Sequence, residues 1–155
     1  MKLLTVTIPC YNSQDYMAKA IESALQGGDD VEILVVDDGS KDDTLSIAQQ
    51  YESKYPHIVR AIHKENGGHS AVNTGIANAT GLYFKVLDSD DWFDKTAMLK
   101  LIKFLRQSVV ESMSLDMIIA NYVYEKPSAH KRKAINYNMA IPKNKIITWS
   151  DVKHF

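Results

Sequence analysis

Five short apolar runs, each rich in β-branched residues and separated from the next by a helical pattern, constrain this chain more than any other feature. Leu3-Leu4-Thr5-Val6-Thr7-Ile8 is stopped by Pro9, and Val31-Glu32-Ile33-Leu34-Val35-Val36 closes on Asp37-Asp38-Gly39-Ser40. Residues 58–63 lead to the turn Asn66-Gly67-Gly68, residues 82–87 run into Asp88-Ser89-Asp90-Asp91, and residues 115–124 form the fifth run. Such runs suit strands buried on both faces. The segments between them repeat apolar residues at helical spacing: Met17, Ala20, Ile21 and Ala24; Leu45, Ile47, Ala48 and Tyr51; Ala71, Val72, Gly75 and Ile76; Met98, Leu101, Ile102 and Leu105. Asp15 and either Asp42 or Asp43 stand where N-caps belong. The alternation predicts an α/β, Rossmann-like fold, a mostly parallel sheet with helices on both faces.

At 155 residues, 45% of them hydrophobic, the chain suits one domain with a sizeable core. No apolar run approaches the roughly 18–20 residues that cross a bilayer. Met1-Lys2-Leu3-Leu4 leads straight into a strand pattern rather than a leader. Cys10 is the one cysteine, which excludes an internal disulfide and a zinc ribbon and suits an inert core thiol. These features together suggest a cytoplasmic protein. Charge is uneven. The net value is −1, yet residues 126–150 hold six basic and no acidic residues, leaving the remainder at −7. An acidic interior beside a basic tail does not make a nucleic-acid surface, which needs a basic stripe across the fold.

Parallel strands place their following loops on one rim, and ligands of α/β sheets bind there. Pro9-Cys10-Tyr11-Asn12, Asp37-Asp38 and Asp88-Ser89-Asp90-Asp91 all fall at such ends. Neither a G-x-G-x-x-G nor a G-x-x-x-x-G-K-[ST] loop is present, so a diphosphate at this rim needs a cation. Asp88 and Asp90, at i and i+2 of an extended segment, point to one side, and Asp91 adds a third carboxylate. Mg²⁺ or Mn²⁺ is typically held by one or two carboxylates plus substrate phosphates. The competing reading is that Asp91 or Asp94 only caps the following helix. Asp37-Asp38 is open in the same way, between a contact to a nucleoside and plain turn chemistry. Tyr11 either stacks on a base or packs at the strand end. His63 and His69 suit structural or solvent-facing roles.

Six pieces in order, Thr7-Ile8-Pro9-Cys10-Tyr11-Asn12, Val35-Val36-Asp37-Asp38-Gly39-Ser40, Asn66-Gly67-Gly68, Asn73-Thr74-Gly75, Ala79-Thr80-Gly81 and Leu87-Asp88-Ser89-Asp90-Asp91-Trp92, resemble the inverting family 2 glycosyltransferases of the GT-A fold. The resemblance covers about residues 2–125. It implies a nucleotide-sugar donor, a UDP-sugar for preference, and a divalent metal, Mg²⁺ or Mn²⁺, at the D-x-D element. It implies that Asp38 contacts the base, that Pro9, Tyr11 and Asn12 line the nucleoside pocket, and that Asn73 belongs to the donor site. Asp88 is then near the ribose and metal, and Asp90 is a metal ligand. Val72 stands where many members carry Arg. The family's catalytic base is a later Asp or Glu, and after Glu125 only Asp151 remains. The base is therefore expected beyond these residues. Residues 1–125 are expected to form the nucleotide-sugar-binding half, and 126–155 a basic tail opening the acceptor part.

The implied activity is transfer of a sugar to a saccharide or lipid-linked acceptor in polysaccharide synthesis. The basic tail is a candidate for peripheral contact with an anionic membrane surface at the inner face. Two alternatives come from other classes. One is a metal-dependent phosphohydrolase or phosphoacceptor with Asp88 as nucleophile; the other is a module that binds a nucleotide-sugar without turning it over.

Overall fold

The computed structural model describes all residues except 67–69, 127–130, 138–140, 143–144, 149–150 and 152–155. The glycine pair of the Asn66-Gly67-Gly68 turn, His69 and the tail's Lys143 lie outside the described residues. The chain divides into two compact units, Met1–Met113 and Ser114–Phe155.

The first unit alternates strand and helix as the apolar pattern dictates: β1 (Leu4–Cys10), α1 (Met17–Leu25), β2 (Val31–Asp38), α2 (Thr44–Lys54), β3 (Val59–Lys64), α3 (Ala71–Asn78), β4 (Tyr83–Val86) and α4 (Lys95–Val110). The four strands form one parallel sheet in the order β3-β2-β1-β4. β1 and β2 lie at its centre, and Val6, Ile8, Ile33, Leu34, Val35 and Val36 are fully buried. Helices α1 and α3 pack on β1 and β2, and α2 packs on β3 and β2. This is the α/β sheet with flanking helices that the alternation predicts. The chain returns from β3 to the far side of β1, so strand order reverses beside β1, where such sheets open a crevice.

Two sequence motifs turn out to be packing devices. Gly75 sits where α3 crosses β1, and a Cβ there would stand 2.3 Å from Thr7 Cγ2 and 2.4 Å from Thr7 Oγ1. Thr7 lies on a central strand with no room to retreat. Gly75→Ala is expected to lose about 1–2 kcal/mol in urea denaturation, because overpacking outweighs the ~1 kcal/mol gained in helix propensity. Ala79-Thr80-Gly81 serves Glu32, which is only 5% exposed. The Glu32 carboxylate accepts from Thr80 N (2.8 Å), Thr5 Oγ1 (2.8 Å) and Arg60 Nη1 (3.2 Å). Gly81 N donates in turn to Thr5 Oγ1 at 2.8 Å. Burial pushes the Glu32 carboxyl up, but these donors outweigh it and hold the group below the usual carboxylate range.

Several local expectations change. The N-cap of α1 is Tyr16 rather than Asp15. Asp42 accepts from Thr44 N at the entry of α2, although Asp43 holds the cap position. The fifth strand does not join the parallel sheet. It is confined to β5 (Tyr122–Lys126), which pairs antiparallel with β6 (Lys131–Ile135) in the second unit. Residues 115–121 form no strand, and Met117 and Ile119 are exposed. Apolar content there met no neighbouring strand to pair with, whereas residues 122–126 found one a few positions on. The basic stretch expected to be a loop thus contains half of a hairpin.

Candidate functional site at the carboxyl rim of the sheet

The loops following β1, β2, β3 and β4 are tied to one another along the rim of the first unit. Asn12, in the left-handed region at φ 48°, lies between the first two. Its N–H donates to Ser40 Oγ at 2.9 Å, and its side-chain carbonyl accepts from Lys41 N at 2.9 Å. Ser13 is buried. Its N–H donates to Thr44 Oγ1 at 2.7 Å, and its hydroxyl lies 3.1 Å from Ser89 Oγ in the middle of the D-S-D element. Gly39 (φ 73°) approaches Asn66 after β3 so closely that a Cβ would stand 2.7 Å from Asn66 N. Positive φ and lack of space both demand glycine there. A continuous path therefore runs from Asn66 through Gly39, Ser40, Asn12 and Ser13 to Ser89.

The structure separates the two adjacent aspartates of β2. Asp37 is fully buried: Oδ1 accepts from Ser40 N at 3.2 Å, and Oδ2 meets His63 Nδ1 at 2.7 Å. Asp37 thus fixes the turn, and His63 is its structural partner. Asp38 reaches the rim half-buried and pairs through Oδ1 with Lys64 of β3. Tyr11 is 48% exposed, so its ring is not a packing element of the strand end. Pro9 is partly buried in β1, and Asn73 is exposed in the first turn of α3. Cys10 is buried, and burial, followed by the nearby Asp37 charge, pushes its thiol up to about 12. It is inert.

Asp88, Asp90 and Asp91 are all exposed. The segment is not extended, as the i, i+2 argument requires. β4 ends at Val86, and the following residues form a turn in which Asp91 N–H donates to Asp88 O at 3.0 Å. The capping reading falls to Asp94 alone, whose side chain accepts from Ala97 N at 2.8 Å. Burial raises the Asp91 carboxyl first, and the charges of Asp90 and Asp88 raise it further, with Lys85 opposing. These carboxylates repel one another. Downstream, Phe93 N donates to Ser23 Oγ at 3.0 Å, and Lys19 Nζ sits 2.8 Å from the centre of the Trp92 ring, so α1 holds the end of the loop.

Among the described residues no three His, Cys, Asp or Glu side chains form a ready metal cage. Asp88 and Asp90 are exposed carboxylates, the hard oxygen donors that Mg²⁺ or Mn²⁺ takes alongside phosphates and water. Sequence reasoning missed Ser13, Ser89, Lys19 and Lys64. Each acts through a partner distant in sequence, and no local pattern marks any of them.

Comparison with known proteins adds the chemistry. The family described as "Glycosyl transferase family 2" matches residues 5–151. The chain is 31% identical over 136 residues to the minor teichoic acid biosynthesis protein GgaA of Bacillus subtilis, covering 83% of this chain and 30% of GgaA. It resembles the crystal structure of S. aureus TarS 1–349 in complex with UDP-GlcNAc, with TM-score 0.56 and 28% identity, over 70% of this chain and 32% of that one. It also resembles the mannosyltransferase PcManGT of Pyrobaculum calidifontis in complex with GDP-Man and Mn²⁺, with TM-score 0.54 and 25% identity, over 66% of this chain and 32% of that one. The chain thus spans about a third of the length of these proteins.

Proposed function

From the premise that the chain belongs to glycosyl transferase family 2 and has its GT-A fold, we propose that the rim binds a nucleoside diphosphate sugar, by preference a UDP-sugar, for transfer to a saccharide or lipid-linked acceptor. The observation that carries this reading is the hydrogen-bonded path that holds Tyr11, Asp38 and the Asp88–Asp91 turn on one rim. The complexes of TarS with UDP-GlcNAc and of PcManGT with GDP-Man support it.

Each residue has a task its position suits. The exposed Tyr11 ring stacks on the base, beside Pro9 and Asn12. Lys64 occupies Asp38 Oδ1, which leaves Oδ2 to accept an N–H of the base; a carboxylate acceptor favours a base with an imide N–H, as uracil has. Asn73, in the first turn of α3, offers its amide to the donor. Asp88 and Asp90 would hold Mg²⁺ or Mn²⁺. Such an ion, when bound, neutralises charge that develops on the leaving diphosphate. Inverting transfer also needs a carboxylate to take the acceptor's proton. Asp38, Asp88 and Asp90 are committed to the donor, so we assign that role outside this set. No helix of the described residues is long and apolar enough to cross a membrane, and peripheral contact through the basic tail rests on composition alone.

The test is calorimetry of the chain with UDP-GlcNAc, GDP-Man and their free diphosphates in the presence of Mn²⁺. Tyr11→Ala is expected to weaken the preferred nucleotide about tenfold, from lost stacking of ~1–3 kcal/mol. Unchanged affinity would move the base away from β1. The phosphohydrolase alternative finds no comparable support in the family match.

A further inference from the structure

None of the candidate donor-site residues belongs to the second unit, Ser114–Phe155, which carries a surface of its own. The hairpin β5–β6 pairs Tyr122 with Ile135, Tyr124 with Lys133, and Glu125 with Arg132. Directly paired residues, and residues two apart on a strand, share a face. Tyr122, Tyr124, Lys131 and Lys133 therefore stand on one face, and all are exposed. The tyrosine rings meet edge to face with centres 5.3 Å apart. Glu125, the hairpin's one acid, lies on the opposite face, where Arg132 Nη2 reaches Oε1 at 2.6 Å. Cross-strand pairing has sorted the charge. One face holds a neutralised pair, and the other holds two aromatic rings with lysines that have no acidic partner among the described residues.

We propose that this face binds an anionic glycan, a saccharide chain bearing phosphate or carboxylate groups, and so sets the acceptor class. The proposal rests on the transferase reading above. Aromatic rings offer apolar area, at little entropic cost, to the C–H faces of sugars. Lys131 and Lys133 stand about 7 Å apart along the strand and supply point charges for repeated anions. A neutral glycan would leave these lysines unused. A lipid surface asks for an apolar face to immerse, and beyond the tyrosines this face offers only the partly buried Ile135.

The experiment measures binding of the 155-residue chain to dextran sulfate, neutral dextran, inorganic polyphosphate and phosphatidylglycerol vesicles. Dextran sulfate is expected to bind in a salt-sensitive manner and neutral dextran not to bind. The double variant Lys131→Gln/Lys133→Gln should weaken dextran sulfate about thirtyfold. Tyr122→Ala/Tyr124→Ala should weaken dextran sulfate more than polyphosphate, since polyphosphate has no rings to stack. Arg132→Gln, on the other face, should change affinity by no more than about twofold. Equal binding of neutral dextran, indifference to the lysine pair, or stronger binding to vesicles than to dextran sulfate would overturn the proposal. UDP titrations on the same samples separate the two readings. Intact UDP binding without glycan discrimination sinks the acceptor proposal alone, and absent UDP binding in the unaltered chain sinks the donor reading.

Discussion

Titration of UDP into this chain is expected to give saturable binding with Mg²⁺ or Mn²⁺ and none in excess chelator. Asp90→Ala is expected to weaken the metal-supported binding by about two orders of magnitude. A diphosphate approaching Asp88, Asp90 and Asp91 meets like charge. The sequence holds neither a G-x-G-x-x-G nor a G-x-x-x-x-G-K-[ST] loop, and Val72 stands where the family resemblance puts Arg in many members. On the proposed reading, a cation held by Asp88 and Asp90 would supply the attraction. Asp90 is exposed in the turn after β4, so removing this proposed ligand should lower affinity and leave thermal stability unchanged. Equal UDP affinity with and without chelator would reject this mechanism.

A second large effect is expected at Glu32, far from the rim. Glu32→Ala removes a nearly buried acceptor, leaves Thr5 Oγ1 and Thr80 N without the carboxylate they donate to, and leaves Arg60 with its contacts to Asn78 alone. Stranding buried donors is costly, and loss of about 3 kcal/mol is expected. Arg60 is 42% exposed at its side chain and recovers part of its hydration, which keeps the figure at the low end for a buried pair. The sign with pH follows from the lowered carboxyl. Because the folded pKa lies below the unfolded one, the contribution is fully present above the unfolded value and fades as pH falls through the folded one. Denaturation of the two proteins should therefore differ most near neutral pH and converge in acid. A difference that grows in acid would contradict the donor network.

These two sites show different relations between motif and role. Ala79-Thr80-Gly81 and Asn73-Thr74-Gly75 help mark the family, yet the first holds Glu32 in place and the glycine of the second lets α3 approach β1. Only part of what looks like a binding signature lies at the candidate site. The remainder makes the frame that brings the rim together.

What the sequence determined by itself is the alternation, the sheet's parallel character and the location of acidic loops at strand ends. Apolar periodicity is local, and burial on both faces leaves it no other outcome: the runs at Leu4–Cys10 and Val31–Asp38 became the central strands. Tertiary structure alone decided the rest. Asp37 and Asp38 are equivalent as letters, but strand alternation sends one inward to His63 and the other to the rim beside Lys64. The turn after β4 replaced an extended segment, and Asp94 took the cap that would have explained away Asp91. The fifth run found its partner in a hairpin because no neighbouring strand met it. Ser13 gave no local sign of joining the rim to Ser89, 76 positions away. Contacts of that range depend on which strands become neighbours, and no window of residues contains that information.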